Sequence, residues 1–132
     1  MRQPTIVNLP KILDARGNLS YFEGSQHVPF GIKRTYLIYD VPGGEKRGGH
    51  AYKKQEEFVV SLSGSFDLVV RTRSEEFKFS LNRSYYGVYI PAGYWRHMEN
   101  FSTNSVALVA ASTFYEEADY IRDFESLPKL DK

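Results

Sequence analysis

The sequence predicts an all-β protein, and three observations support this prediction. Short apolar segments recur with turn residues between them, aromatic residues make up 15% of the chain, and polarity alternates within the segments. Phe66, Leu68 and Val70, for example, occupy every second position of one segment. A period of two is typical of strands with one buried face, so these segments favour a barrel or a sandwich over a helical fold.

The order of the segments predicts one domain over residues 1–132, because a chain of this length suits a single core. Only Tyr115–Leu127 is predicted to form a short C-terminal helical segment, since acidic residues at its start suit a helix N-terminus. The predicted strands are Thr5–Leu9, Leu19–Glu23, Lys33–Tyr39, Gly49–Lys53, Glu57–Leu62, Phe66–Thr72, Phe77–Leu81, Gly87–Ile90, Trp95–Asn100 and Val106–Ala111.

Composition excludes several classes of protein. Without cysteine, the chain forms neither disulfides nor thiolate metal sites. A formal net charge of +1 without a basic block gives a nucleic-acid partner no electrostatic support. No apolar run is long enough to span a bilayer, and the first residues lack the apolar stretch of a signal peptide. We therefore expect a cytoplasmic protein that binds neither nucleic acid nor membranes.

The segment from Gly49 to Gly64 fits the first of two motifs that are typical of cupin barrels. His50 occupies the place of the first histidine of the motif, and six residues separate Glu57 from Gly64, as the motif requires. Tyr52 stands where the motif has its second histidine. Because residues i and i+2 of a strand face the same way, we expect His50 and Tyr52 to point together into the barrel.

The segment from Gly87 to Asn100 fits the second motif. Pro91, Gly93 and Asn100 match its frame, and Arg96 takes the place of its histidine. A metal-binding cupin needs several histidines and a glutamate around one point, and a guanidinium is not a metal ligand. The two motifs at the right separation therefore predict a cupin-like jelly-roll barrel without a metal or another cofactor.

Four segments strengthen this prediction: 33–39 (KRTYLIY), 47–54 (RGGHAYKK), 61–65 (SLSGS) and 120–123 (YIRD). They resemble the dTDP-4-keto-6-deoxyglucose 3,4-ketoisomerases, metal-free cupins that are also called WxcM-like, and the resemblance extends from Ile12 to Asp123. It implies a homodimeric enzyme that moves a keto group from C4 to C3 of a dTDP-linked 4-keto-6-deoxy sugar. It further implies a role in making amino sugars for bacterial surface polysaccharides, such as the O-antigen of lipopolysaccharide.

Candidate catalytic residues follow from the spacing and the resemblance. The ketone at C4 acidifies the C3 proton, so the reaction needs a base, a proton donor and groups that stabilise an oxyanion. His50 is the expected base, because an unperturbed imidazole titrates near neutral pH. Arg96, Tyr36 and Tyr52 would stabilise the oxyanion or carry protons, and Tyr36 is assigned chiefly by the family motif. His97 alternates with Arg96 and is expected to face outward.

The nucleotide would be held by cationic and aromatic side chains. Arg47, close to His50 in the sequence, would bind the diphosphate, and Arg34 and Arg16 are the next candidates. Aromatic rings stack on planar bases. The candidates for contact with thymine are Trp95, Tyr89 and Tyr94.

Three alternatives remain open from the sequence. A non-catalytic cupin that binds a sugar nucleotide is favoured by the unusual Tyr52. A metal-free deoxysugar epimerase would use a histidine paired with an aspartate, and no aspartate clearly pairs with His50. A metal-dependent dioxygenase is opposed by the number of available ligands.

Overall fold

The protein is described by a computed structural model, in which residues 2–128 are defined. Within these residues the regular secondary structure consists almost entirely of strands. They are β1 (Thr5–Asn8), β2 (Lys11–Ile12), β3 (Leu19–Ser20), β4 (Arg34–Tyr39), β5 (Arg47–Tyr52), β6 (Glu57–Ser63), β7 (Phe66–Arg71), β8 (Glu76–Leu81), β9 (Tyr86–Ile90), β10 (Trp95–Glu99), β11 (Val106–Ala111) and β12 (Tyr120–Ile121).

The strands form two five-stranded antiparallel sheets and one short hairpin. The first sheet has the order β1-β9-β6-β11-β4, and the second has the order β12-β5-β10-β7-β8. The hairpin pairs β2 with β3. Strands that are distant in sequence therefore lie side by side, as in a jelly roll. The predicted cupin-like, all-β fold is confirmed.

The main hydrophobic core lies between the two sheets. Alternate residues of β7, namely Phe66, Leu68 and Val70, point into it from the second sheet. Val59 and Val109 meet them from β6 and β11 of the first sheet. The polarity pattern in the sequence therefore identified the buried faces of these strands correctly, because each strand presents one face to the same core.

A second cluster covers the outer face of the first sheet. Val28 and Phe30, from the segment before β4, pack with Phe58, Val60 and Tyr89. The first sheet is therefore apolar on both faces, which explains the continuous apolar run at the start of β6.

The C-terminal segment differs from the prediction. Tyr115–Leu127 does not form a continuous helix; it contains two single-turn 3₁₀ helices, Glu117–Asp119 and Phe124–Ser126, on either side of β12. The backbone of β12 pairs with β5, and Ile121 packs in a cluster with Ala51. Pairing with an exposed sheet edge overrides the weak helical preference of this acidic segment, since a short strand there satisfies backbone groups and buries an apolar side chain.

Smaller differences concern strand ends. The hairpin strand β2 was not predicted, β3 ends at Ser20 and not at Glu23, and β5 begins two residues before its predicted start. The predicted domain limits, residues 1 and 132, lie outside the described residues. Among the described residues, no helix has the length and apolar character needed to cross a bilayer.

Candidate active site

A cavity of about 380 Å³ lies where side chains of β4, β5, β10 and β12 converge. It contains the four residues predicted to be catalytic and two of the arginines predicted to bind substrate. Its polar and aromatic wall consists of Arg34, Tyr36, Arg47, His50, Tyr52, Arg96, Tyr120 and Arg122.

An irregularity in β5 determines which side chains enter the cavity. His50 lies opposite Arg96 of β10, but Arg47 lies opposite Met98, so β5 has one more residue than β10 between these pairs. A bulge of this kind breaks the alternation of a strand. Arg47 and His50 therefore both line the cavity, although they are three residues apart.

Gly48 makes the bulge possible. Its φ is +77°, in the region that favours glycine, and a Cβ atom there would lie 2.5 Å from Nη1 of Arg96. The Gly48 carbonyl instead accepts a hydrogen bond from that nitrogen at 2.8 Å. The absence of a side chain therefore allows the guanidinium to pack directly on the backbone of β5.

A buried charged centre forms the floor of the cavity. Arg96 and Glu57 have side chains that are each 1% exposed, and Nη2 of Arg96 lies 2.7 Å from Oε1 of Glu57. The Tyr36 hydroxyl donates to Oε2 of Glu57 at 2.6 Å and accepts from Nη2 of Arg96 at 2.6 Å. Because protein acceptors engage its nitrogens, Arg96 acts chiefly by orienting Tyr36 and by supplying a fixed positive charge.

His50 and Tyr52 form the second element of the site. Nε2 of His50 lies 2.8 Å from the Tyr52 hydroxyl, a distance at which one proton is shared between them. The ring of Tyr120 contacts both, with centroid distances of 5.0 Å to His50 and 4.7 Å to Tyr52. The three rings hold each other in place, and the spacing i, i+2 on β5 brings the pair to the same face, as predicted.

The surroundings of these groups determine their protonation. Burial, followed by the positive charges of the four cavity arginines, lowers the pKa of His50 to about 3. Burial and the nearby Glu57 carboxylate raise the pKa values of Tyr36 and Tyr52 above the usual range of a phenol. At neutral pH the imidazole is therefore uncharged and can accept a proton, but it is a weaker base than the unperturbed imidazole that the sequence predicted, and both phenols keep their protons.

Three arginines of the wall are arranged for an anionic ligand. Arg47 is exposed at the rim, and Arg34 lies with its guanidinium 5.4 Å from the ring of Tyr36. Arg122 stacks on Tyr120 at 4.4 Å and forms an exposed ion pair with Glu117. Guanidinium groups bind phosphate oxygens in bidentate geometry, so this wall suits a diphosphate.

The chain has relatives whose names describe one activity. Residues 2–132 match the family model described as "FdtA: WxcM-like, C-terminal". The chain belongs to this family. It is 38% identical over 124 residues, covering 94% of this chain and 89% of the relative, to the TDP-4-oxo-6-deoxy-alpha-D-glucose-3,4-oxoisomerase of Aneurinibacillus thermoaerophilus.

Solved structures resemble this FdtA/WxcM-like chain over most of its length. The TDP-quinovose 3,4-ketoisomerase WlaRB from Campylobacter jejuni has a TM-score of 0.89 and 41% identity, covering 95% of this chain and 96% of its own. A His-to-Asn mutant of the 3,4-ketoisomerase QdtA from Thermoanaerobacterium thermosaccharolyticum, in complex with TDP-4-keto-6-deoxyglucose, has a TM-score of 0.91 and 34% identity, covering 95% and 91%. The predictions of the family and of a keto–hydroxyl isomerase are confirmed.

Two aromatic residues predicted to contact the base lie outside the cavity of this FdtA/WxcM-like protein. Tyr89 belongs to the outer cluster of the first sheet and donates a hydrogen bond to Glu56. Trp95 packs against Phe124 on the face of β10 opposite Arg96. Both residues precede or follow an inward residue and therefore face away from the cavity, so their contact with thymine remains a prediction that this geometry does not favour. The third candidate is buried in the main core; it is Tyr94.

Sequence reasoning did not assign Tyr120 and Arg122 to the site, although both stand in the family motif at 120–123. Their separation by one residue was the available signal, since it places both on one face of an extended segment. Among the described residues, no three His, Cys, Asp or Glu side chains are grouped so that they could hold a metal ion. The absence of a metal from the working enzyme remains a prediction.

Proposed function

We propose that this protein converts dTDP-4-keto-6-deoxyglucose into a dTDP-3-keto-6-deoxyhexose. The observation that carries the proposal is the neutral His50, which lies 2.8 Å from the Tyr52 hydroxyl in a cavity lined by arginines. A relative with a TM-score of 0.91 has been solved in complex with TDP-4-keto-6-deoxyglucose. A base, a phenolic proton carrier and a cationic wall are the groups that this reaction needs.

The reaction moves two protons and leaves the electron count of the sugar unchanged. Removal of the proton on C3 places negative charge on the oxygen at C4 and forms a C3–C4 double bond. The hydroxyl proton then passes from the oxygen at C3 to the oxygen at C4, and a proton returns to C4. The C3 carbon becomes the ketone and C4 carries the hydroxyl, so no external oxidant or reductant takes part.

Each side chain has a specific part in this scheme. His50 removes the C3 proton, and Tyr52 passes a proton to or from the imidazole across their hydrogen bond. Tyr36, held between Glu57 and Arg96, polarises the oxygens that carry charge in the enediolate. The diphosphate is bound at the rim by cationic side chains: Arg47, Arg34 and Arg122.

The decisive test combines turnover with ligand binding. Product formation from dTDP-4-keto-6-deoxyglucose is followed by NMR, and TDP affinity is measured by calorimetry. His50→Asn should reduce turnover by about 100- to 10,000-fold, as expected for the loss of a general base, while TDP binding persists. The matched control is His97→Asn, because His97 pairs with Glu99 away from the cavity and should leave turnover unchanged. Near wild-type turnover in His50→Asn would show that another residue is the base.

The same experiment separates the alternatives. A protein that binds TDP and the sugar nucleotide without turnover would be a binding module. The replacement of the second motif histidine by Tyr52 would then explain why the protein is inactive. A product with an altered configuration and the ketone still at C4 would indicate an epimerase. Among the described residues, the hydrogen-bond partner of the His50 ring is Tyr52. An epimerase would instead pair this histidine with an aspartate.

We also propose that the enzyme is a homodimer. The support is an edge strand, β4, whose outward side chains Leu37 and Tyr39 are 51% and 63% exposed. Sedimentation of wild type and Tyr39→Lys tests this proposal, since a charge at a dimer contact should shift the equilibrium towards monomer. A cytoplasmic location remains a prediction from the composition of the chain, and a role in surface polysaccharide synthesis remains a prediction from the family resemblance.

A further inference from the structure

Gln55 is a buried polar residue between two parts of the site. It is 2% exposed and lies just before β6. Its Oε1 accepts a hydrogen bond from Nη2 of Arg34 at 2.8 Å, and its Nε2 donates to Oε2 of Glu57 at 2.9 Å. One side chain therefore joins an arginine of the cavity wall to the carboxylate of the buried centre.

The orientation of this amide is determined by its partners. Oε1 accepts a second hydrogen bond from the Thr113 hydroxyl at 2.6 Å, so two donors meet at the oxygen. The NH₂ group meets a carboxylate oxygen of Glu57, which accepts only. A flipped amide would place NH₂ against the Arg34 guanidinium and oxygen against a carboxylate, so a single orientation is stable.

Arg34 lines the cavity with its guanidinium held by neighbouring side chains. Its Nε is buried and has no hydrogen-bond partner within the described part of the chain. The guanidinium is held by Gln55 and by the rings of Tyr36 and Tyr115, with centroids at 5.4 Å and 5.6 Å. This nitrogen is shielded from the cavity as well as from water, so an anionic oxygen of a ligand would meet Arg34 where the residue lines the cavity.

We propose that Gln55 is a positioning residue that couples anion binding at Arg34 to the geometry of the Glu57–Arg96–Tyr36 centre. The inference rests on the proposed function. The amide oxygen holds Arg34 in the orientation that receives a phosphate oxygen of the substrate. The amide nitrogen holds Glu57, which in turn orients Tyr36 beneath the sugar.

A double-mutant cycle tests the link to Arg34. Calorimetry with TDP alone compares wild type, Gln55→Met, Arg34→Met and the double variant. Gln55→Met should weaken TDP binding roughly tenfold in the wild-type background and have no further effect once Arg34 is replaced. Additive effects, or unchanged TDP affinity in Gln55→Met, would overturn the inference.

A second variant tests the link to Glu57 and does not depend on how well Gln55→Met folds. Gln55→Glu keeps an acceptor for Arg34 but replaces the donor to Glu57 with a second carboxylate. TDP affinity should stay near wild type, while kcat should fall at pH 8 and recover as the pH is lowered, because a protonated carboxyl donates again. A kcat that follows the wild-type pH profile would contradict the coupling.

The matched control is Glu56→Gln, since Glu56 faces Arg2 and Tyr89 on the other side of the first sheet. It should change neither TDP affinity nor kcat. Failure of the wild-type protein to bind TDP would overturn the proposed function, whereas TDP binding with an additive cycle would overturn only the role of Gln55.

Discussion

Two arginine–glutamate pairs at this site have nearly the same length and different surroundings. Arg96 and Glu57 are separated by 2.7 Å and are each 1% exposed. Arg122 and Glu117 are separated by 3.0 Å, with side chains 58% and 61% exposed. The first pair is enclosed by Tyr36 and other hydrogen-bond partners, whereas the second lies at the surface, where Glu117 also accepts a hydrogen bond from the Tyr115 hydroxyl.

The difference shows how one kind of interaction serves two purposes. A buried charge cannot recover its hydration when its partner is removed, so Arg96 and Glu57 depend on each other. Water replaces a lost partner at the surface, so Arg122 can exchange Glu117 for a ligand at little cost. The buried pair therefore gives the site its geometry, and the exposed pair leaves a cation available to the substrate.

The largest expected effect comes from breaking the buried pair. Arg96→Met leaves the Glu57 carboxylate buried without its cation and should lower the free energy of unfolding by about 3–5 kcal/mol. Urea denaturation measures this loss, and Arg122→Met is the matched variant, which should show a far smaller change. Equal losses in the two variants would mean that burial does not distinguish the pairs.

Replacing both members of the buried pair sharpens the comparison. In Arg96→Met combined with Glu57→Leu, no buried charge is left alone, so the double variant should be more stable than Arg96→Met by at least about 1 kcal/mol. Ketoisomerase activity should be lost in the double variant, because Tyr36 no longer has its two charged partners. Denaturation and turnover are measured on the same samples, and a double variant less stable than Arg96→Met would contradict this account.

Arg96 of the buried pair and Arg122 of the exposed pair both lower the pKa of His50. Burial, then Arg96, then Arg122 lower the pKa of His50 to about 3, below the ordinary value of 6.5. The unfolded chain therefore binds a proton that the folded protein does not, and the stability that is present above pH 6.5 is lost as the pH falls towards 3. The slope of unfolding free energy against pH in this window should be shallower in His50→Asn than in wild type. An unchanged slope would show that His50 is not protected from protonation.

The smallest effect is expected from the exposed pair. Glu117→Gln removes a competitor for Arg122 and a negative charge near the proposed diphosphate site, so TDP should bind about two- to fivefold more tightly, and this gain should shrink at high salt. Calorimetry at two salt concentrations measures the change. Weaker binding in Glu117→Gln would mean that Glu117 orients Arg122 for the ligand.

Part of the site can be predicted from local features of the sequence, namely strand alternation and the spacing of motifs. Strand alternation predicts that His50 and Tyr52 share a face, and the spacing of the second motif predicts that Arg96 opposes them. The same alternation, applied to Trp95 and Tyr89, would have placed both rings on outer faces. The sequence analysis placed both rings near the base because it gave aromatic character more weight than position along the strand.

The sequence by itself determined ten of the twelve strands apart from their ends, the buried faces of the core strands and the pair His50–Tyr52, because each depends on the two-residue period of extended chain. Only the tertiary structure decided the rest. The bulge at Gly48 brings Arg47 inward, and the pairing of β12 with β5 brings Arg122 to the cavity. These placements depend on contacts between segments that are far apart in the chain. The free energy of such contacts cannot be predicted from a local pattern of residues.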